Sequence, residues 1–198
     1  MKKEFIDIND ARNQLRSYFI SCTPEINLND LNELLQEFTL HQFSKKEKII
    51  LAGEGSSTFY FVCKGLIRIY YEKEEKEITN YFIKENMVFA VSAHLSGKKN
   101  INNYEASEDT TVLRINLALL ESYFTKSHSL EHLARKLIET NYGAFMKKTH
   151  DVLFLSAEER YDKFLNEHSD LINRLPLRII ASYLGITQET LSRLRSKY

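Results

Sequence analysis

The chain has 198 residues, 43% of them hydrophobic and 27% charged, and its 27 Lys and Arg balance 27 Asp and Glu. This composition excludes a disordered or collagen-like chain and allows one large domain or two small ones. Two cysteines, Cys22 and Cys63, are too few for a disulfide framework or a four-cysteine cluster. The first residues, MKKEFIDINDARNQL, lack the apolar core of a secretion signal, and no run approaches about 18 apolar residues. The expected location is the cytoplasm, with no membrane partner.

Residues 8 to 40 read as helical. Leu28, Leu31, Leu34, Leu35 and Phe38 form one apolar stripe, with Asn27 or Asn29 as the N-cap. Around Phe43 the period changes. From Lys48 to Ile115 short β-rich runs alternate with turn clusters: KIIL, AGEGSS, TFYFVCKGLIRIYY, EKEEK and EITNYFI. Leu66, Arg68 and Tyr70 alternate with Ile67, Ile69 and Tyr71 as the two faces of a strand, and EKEEK reads as a hairpin tip. Cys63 lies in an apolar run, where it reads as a small buried hydrophobe. Met87 to Val91 and Thr110 to Ile115 flank a polar loop around Gly97 to Asn103. The regular spacing predicts a small antiparallel barrel or roll.

The helical period returns after Asn116. Leu117, Leu120 and Phe124 mark a short helix, and a longer one is predicted from about Ser129 to Val152. About 24 residues would span roughly 36 Å, with more apolar surface than a small roll can cover. The long helix therefore reads as a dimer seam through Leu130, Leu133, Leu137, Ala144 and Phe145. Packing within one chain is the alternative, because Asn141 and Lys148 interrupt the heptad. Ser156-Ala-Glu-Glu159 is a capping box that opens a helix packing Tyr161, Phe164 and Leu165. The expected division is residues 1–128, a dimerisation helix over 129–154, and 155–198.

The last segment, PLRIIASYLGITQETLSRLRSKY, reads as a helix-turn-helix. Leu177, Ile179, Ile180 and Leu184 recur at helical spacing up to Gly185, and Thr187 opens a second helix with Leu191 and Leu194 inward. Its outward face carries Gln188, Glu189, Ser192 and Arg193, side chains able to bond base edges. From Arg174 onward five basic residues (Arg174, Arg178, Arg193, Arg195, Lys197) face a single Glu189, a local excess that a phosphate backbone would favour.

In order and motif the chain resembles the Crp/Fnr superfamily of bacterial transcription regulators. AGEGSSTFYFVCKGLIRIYY is similar to the β-roll of its cyclic-nucleotide-binding domains, and SAEERYDKFL with RLPLRIIASYLGITQETLSRLR is similar to its C-terminal helix-turn-helix. The resemblance implies an α+β fold: an N-terminal antiparallel β-roll of jelly-roll type with flanking helices, a long dimerisation helix and a winged-helix-like helix-turn-helix with a truncated wing. It implies a cytoplasmic homodimer that binds double-stranded DNA, regulates transcription and admits RNA polymerase as a further contact. Glu189, Ser192 and Arg193 match the E-x-x-S-R base-reading pattern of Fnr-like members. Thr187 and Thr190 would bond phosphates near the helix N-terminus. The chain stops soon after the second helix, so phosphate contacts would rest on Arg174, Arg178, Arg195 and Lys197.

In members that bind cyclic nucleotides, a Gly-Glu-Leu segment meets the ribose and an Arg-Ser pair meets the cyclic phosphate. By alignment these fall on Phe89, Ala90 and Val91, and near Asn100 and Ile101, so both the carboxylate and the guanidinium are absent. A buried anion without its Arg loses a charge-assisted pair and keeps its desolvation cost, which argues against the usual nucleotide pose. Lys98 and Lys99 are the nearest charges. Phe59, Phe61, Phe82, Phe89 and Val91 then line either a packed core, the better reading, or an apolar site for an unidentified effector. His128 and His132 stand at metal-ligand spacing without a third ligand nearby, and read as surface residues. No cofactor and no metal are expected. A cupin-type enzyme would need several histidines in the roll, where only His94 occurs; no enzymatic activity is expected. The competing function is a ligand-binding regulatory module without DNA activity.

Overall fold

The computed structural model describes residues 6–91 and 99–196. Contacts divide it into two compact units, residues 1–69 with 82–139 and residues 70–81 with 140–198. The first unit opens with α1 (Ile8–Cys22), whose N-cap Asp7 accepts the Asn9 N–H at 2.8 Å, and which buries Ala11, Leu15 and Phe19 at four-residue spacing. In α2 (Leu28–Gln36) Asn27 is the N-cap, accepting the N–H groups of Asn29 and Asp30. The helical reading overshoots at its end. Thr39–Phe43 is a strand, β1, paired antiparallel with β8 (Thr110–Asn116). Only one of its five residues is buried. A period-2 signal that weak is masked by the leucine stripe before it, and pairing with a distant strand fixes its state.

Between them lie β2 (Lys48–Ile50), β3 (Thr58–Lys64), β4 (Ile67–Lys73), β5 (Lys76–Ile83), β6 (Val88–Ala90) and β7 (Asn103–Ala106). They form two four-stranded sheets, ordered β1-β8-β3-β6 and β2-β7-β4-β5. Strand β7 begins at Asn103, within the expected polar loop; its buried Asn103 Oδ1 accepts the Ala52 N–H at 3.0 Å. The first sheet is covered on both faces. Phe61, Cys63, Leu113 and Ile115 pack under α1 and α2, while on the other face Tyr60 stacks on Phe89 at 4.7 Å and Phe89 on Tyr104 at 5.7 Å. Tyr60 to Cys63 are therefore buried without alternation. Gly65 makes the β3–β4 turn at φ +101°, where a Cβ would lie 2.5 Å from Thr110 Oγ1 and 2.7 Å from its Cα. Glu74 and Glu75, both at positive φ, turn the EKEEK hairpin tip.

Asn116 caps α3 (Leu117–Phe124), and α4 runs over His128–Phe154, 27 residues. Three of its expected dimer contacts are consumed inside the first unit: Leu130, Leu133 and Leu137 join the core beneath α1 and α2. At roughly 100° per residue Ala144 lies on that same face. A different stripe, about 100° around the helix, holds Ile138, Tyr142, Phe145 and Val152, each more than half exposed. Of the five expected seam residues only Phe145 lies on the exposed stripe. The sequence shows that α4 is apolar on more than one side; which side the roll covers depends on tertiary packing.

In the second unit, the Ser156–Glu159 capping box opens α5 (Ala157–Glu167): Ser156 N–H donates to Glu159 Oε2 at 2.7 Å, and Glu159 N–H to Ser156 Oγ at 3.3 Å. A 3-10 turn (Ser169–Leu171) leads to α6 (Leu177–Leu184) and α7 (Gln188–Arg195). Tyr161, Phe164, Ile180, Leu184, Leu191 and Leu194 are buried among these helices, and Leu165 is half-buried. No helix among the described residues is long and apolar enough to cross a membrane.

Candidate nucleic-acid interface

The turn between α6 and α7 is built by backbone chemistry readable in the sequence. Gly185 takes φ +67°, and the Ile186 N–H closes on the Ala181 carbonyl at 3.0 Å, so the helix stops abruptly. Thr187 is the N-cap of α7: its Oγ1 accepts the Thr190 N–H at 3.1 Å and lies 3.0 Å from Thr190 Oγ1. Leu191 and Leu194 face inward, while Gln188, Glu189, Ser192 and Arg193 are all exposed. Those four occupy an arc of about 140° on the opposite side. Glu189 lies in the first turn and Arg193 and Arg195 in the last, the ends where the helix dipole favours each sign. The result is an exposed polar ridge carried on a short helix.

The expected phosphate ligands divide. Arg195 is exposed, whereas the Thr187 hydroxyl already serves the cap and Thr190 is half-buried. Arg174 is mostly buried, its guanidinium 3.7 Å from Asp170, and Arg178 lies 3.7 Å from Glu77. Lys197 is outside the described residues.

Two residues that sequence reading missed hold the C-terminal end of α6. Lys148 Nζ donates to the Tyr183 carbonyl at 3.1 Å and sits over the Tyr183 ring, 3.1 Å from its centroid. Arg160 donates from Nε to the Leu184 carbonyl at 3.0 Å and from its terminal nitrogen to the Leu155 carbonyl at 2.6 Å. These cations satisfy carbonyls that a helix end leaves unpaired. Burial pushes Lys148 down to about 8, opposed by nearby Asp151 and assisted by Arg160. No motif announces them, since a lysine inside a heptad reads only as an interruption. The cleft they share with Asp151 and Lys163 holds about 40 Å³, room for a few waters and not for a nucleotide.

The five roll residues expected to line a core or an effector site do not converge on one space. Phe61 and the half-buried Phe59 pack with the helices, Phe89 is held between Tyr60 and Tyr104, and Phe82 and Val91 are buried. At the positions aligned with nucleotide ligands, Asn100 spends its side chain on the Leu51 and Asn102 carbonyls and the Asn102 N–H, while Ile101 is 73% exposed. Lys99 is exposed; Lys98 and His94 are outside the described residues. His128 lies 3.5 Å from Glu131, and among the described residues no three or more His, Cys, Asp and Glu gather as a metal site. Burial pushes the Cys63 thiol up to about 12, as expected of a structural cysteine.

Comparison with known proteins agrees with this layout. Residues 40–127 match the family model described as the cyclic nucleotide-binding domain. No curated protein sequence matches significantly. Among solved structures, FixK2 from Bradyrhizobium japonicum is 25% identical, with a TM-score of 0.68 over 81% of this chain and 83% of that one. A protein from Eubacterium rectale described as a transcriptional regulator of the crp/fnr family is 18% identical, with a TM-score of 0.68 over 89% and 85%. The catabolite activator protein of Thermus thermophilus is 16% identical, with a TM-score of 0.57 over 91% and 85%. The fold thus defines a protein with a cyclic-nucleotide-binding-type roll followed by a helical C-terminal region. More narrowly, one of these neighbours is described as a regulator of the crp/fnr family, and the chain has the α+β fold of these structures.

Proposed function

We propose that the chain is a homodimeric, sequence-specific DNA-binding regulator of transcription that acts by binding, without catalysis. The observation that carries this reading is the exposed quartet Gln188, Glu189, Ser192 and Arg193 on a capped helix whose other face is buried. Arg193 bonds a guanine, Glu189 a cytosine amino group, and Ser192 and Gln188 read neighbouring edges more permissively. Thr190 and Arg195 contact phosphates beside them, joined by Arg178 once it leaves Glu77.

Dimerisation through Ile138, Tyr142, Phe145 and Val152 follows from their exposure at spacings of four, three and seven residues, the pattern of a two-helix seam. Two reading helices would then enter successive major grooves about 34 Å apart. Asn100, spent on neighbouring backbone groups, and the exposed Ile101 support a sensor that has lost the usual nucleotide pose. Selection from a random duplex pool with the full chain tests the reading. It should return a two-fold-symmetric motif with half-sites about 10 base pairs apart; a pool that enriches nothing refutes sequence-specific binding.

A further inference from the structure

We propose that the β4–β5 hairpin restrains the proposed reading domain, with the Glu77 carboxylate occupying Arg178 in place of a DNA phosphate. The inference rests on the DNA-binding reading and concerns its regulation. Strand β5 is the edge of its sheet, and an edge presents unpaired N–H and C=O groups. Here one hydroxyl engages both kinds of group. Ser182 Oγ accepts the Thr79 N–H at 2.8 Å and donates to the Glu77 carbonyl at 3.2 Å. Thr79 is only 4% exposed, so the contact is dry on the strand side. One turn back along α6, the Arg178 guanidinium lies 3.7 Å from the Glu77 carboxylate. Residues i and i+4 share a helix face, so Arg178 and Ser182 dock on one stretch of strand together.

The two contacts differ in how readily they exchange. The hydroxyl bonds are partly buried, but the Arg178 and Glu77 side chains keep 62% and 32% of their surface. A guanidinium donates to carboxylate and phosphate oxygens in the same charge-assisted geometry, and the first helix of a helix-turn-helix crosses the DNA backbone. Binding DNA therefore requires Arg178 to trade an internal anion for an external one. By linkage, whatever loosens the hairpin strengthens DNA binding, and DNA loosens the hairpin in return.

A double-mutant cycle on the full chain tests this with a random-sequence duplex at low salt. Glu77→Gln should tighten binding roughly twofold to fivefold, the range of one exposed ion pair. In an Arg178→Ala background the gain from Glu77→Gln should vanish. Equal or weaker binding by Glu77→Gln overturns the proposal, as does a gain that survives without Arg178, which would reflect net charge alone. Amide exchange in the DNA-free protein reads the docking separately. The Thr79 N–H should exchange slowly, and about tenfold faster or more in Ser182→Ala; unchanged exchange in that variant overturns the strand-edge contact. If no variant binds duplex while Thr79 still responds to Ser182→Ala, the DNA reading fails and the competition with it, while the docked hairpin remains.

Discussion

Gly65 and Gly185 both hold positive φ, yet they do so for different reasons. A Cβ at Gly185 would meet open space, whereas one at Gly65 would strike the Thr110 backbone. Gly185→Ala should cost about 1–2 kcal/mol, the strain of a left-handed residue alone. Gly65→Ala adds overpacking and should cost about 2–5 kcal/mol; urea denaturation of the two variants measures the gap, and equal losses would contradict it. Lys148 supplies a second test at this scale. Its folded pKa of about 8 lies below the ordinary 10.5, so between those values the unfolded chain binds the extra proton. Stability should therefore rise with pH from about 8 to 10.5, relative to Lys148→Met, and the difference should be flat below pH 7. A difference unchanged through pH 10 would show that burial does not penalise this ammonium.

Element by element, the sequence was legible where local chemistry decides and opaque where distant packing does. Ser156 with Glu159, Thr187 and Gly185 each fix a helix end through bonds to neighbours within a few residues, and each boundary falls where the residues indicate. Strands β1 and β7 lacked that advantage, because partners far along the chain make them strands. The face of α4 is likewise set by distant packing. Apolar spacing alone joins Leu130, Leu133, Leu137 and Ala144 with Phe145 as one seam, but the roll and its helices cover the leucines. Leu133→Ala should accordingly cost about 2–5 kcal/mol of folding stability through the cavity it leaves. Phe145→Glu should leave the fold intact and yield a monomer in sedimentation experiments. A Phe145→Glu protein that stays dimeric would move the seam elsewhere.

For the whole molecule, neutrality hides a division of labour. The 27 acidic and 27 basic residues cancel, but the last segment keeps a basic surplus beside a helix with four exposed polar side chains. That site was the most legible part of the sequence, since its side chains, caps and turn lie within 23 residues. Its supports were not legible: Lys148, Arg160 and the β5 edge reach it from other segments. Position in three dimensions, and no motif, makes them part of the site.

The most direct test of the account compares duplexes selected by the native chain with those selected by Arg193→Ala. The variant should bind about 1–3 kcal/mol more weakly and lose its preference at one guanine in each half-site, with the remaining positions unchanged. A uniform loss over all sequences, with the motif intact, would mean that Arg193 touches only phosphate and that α7 does not read bases as described.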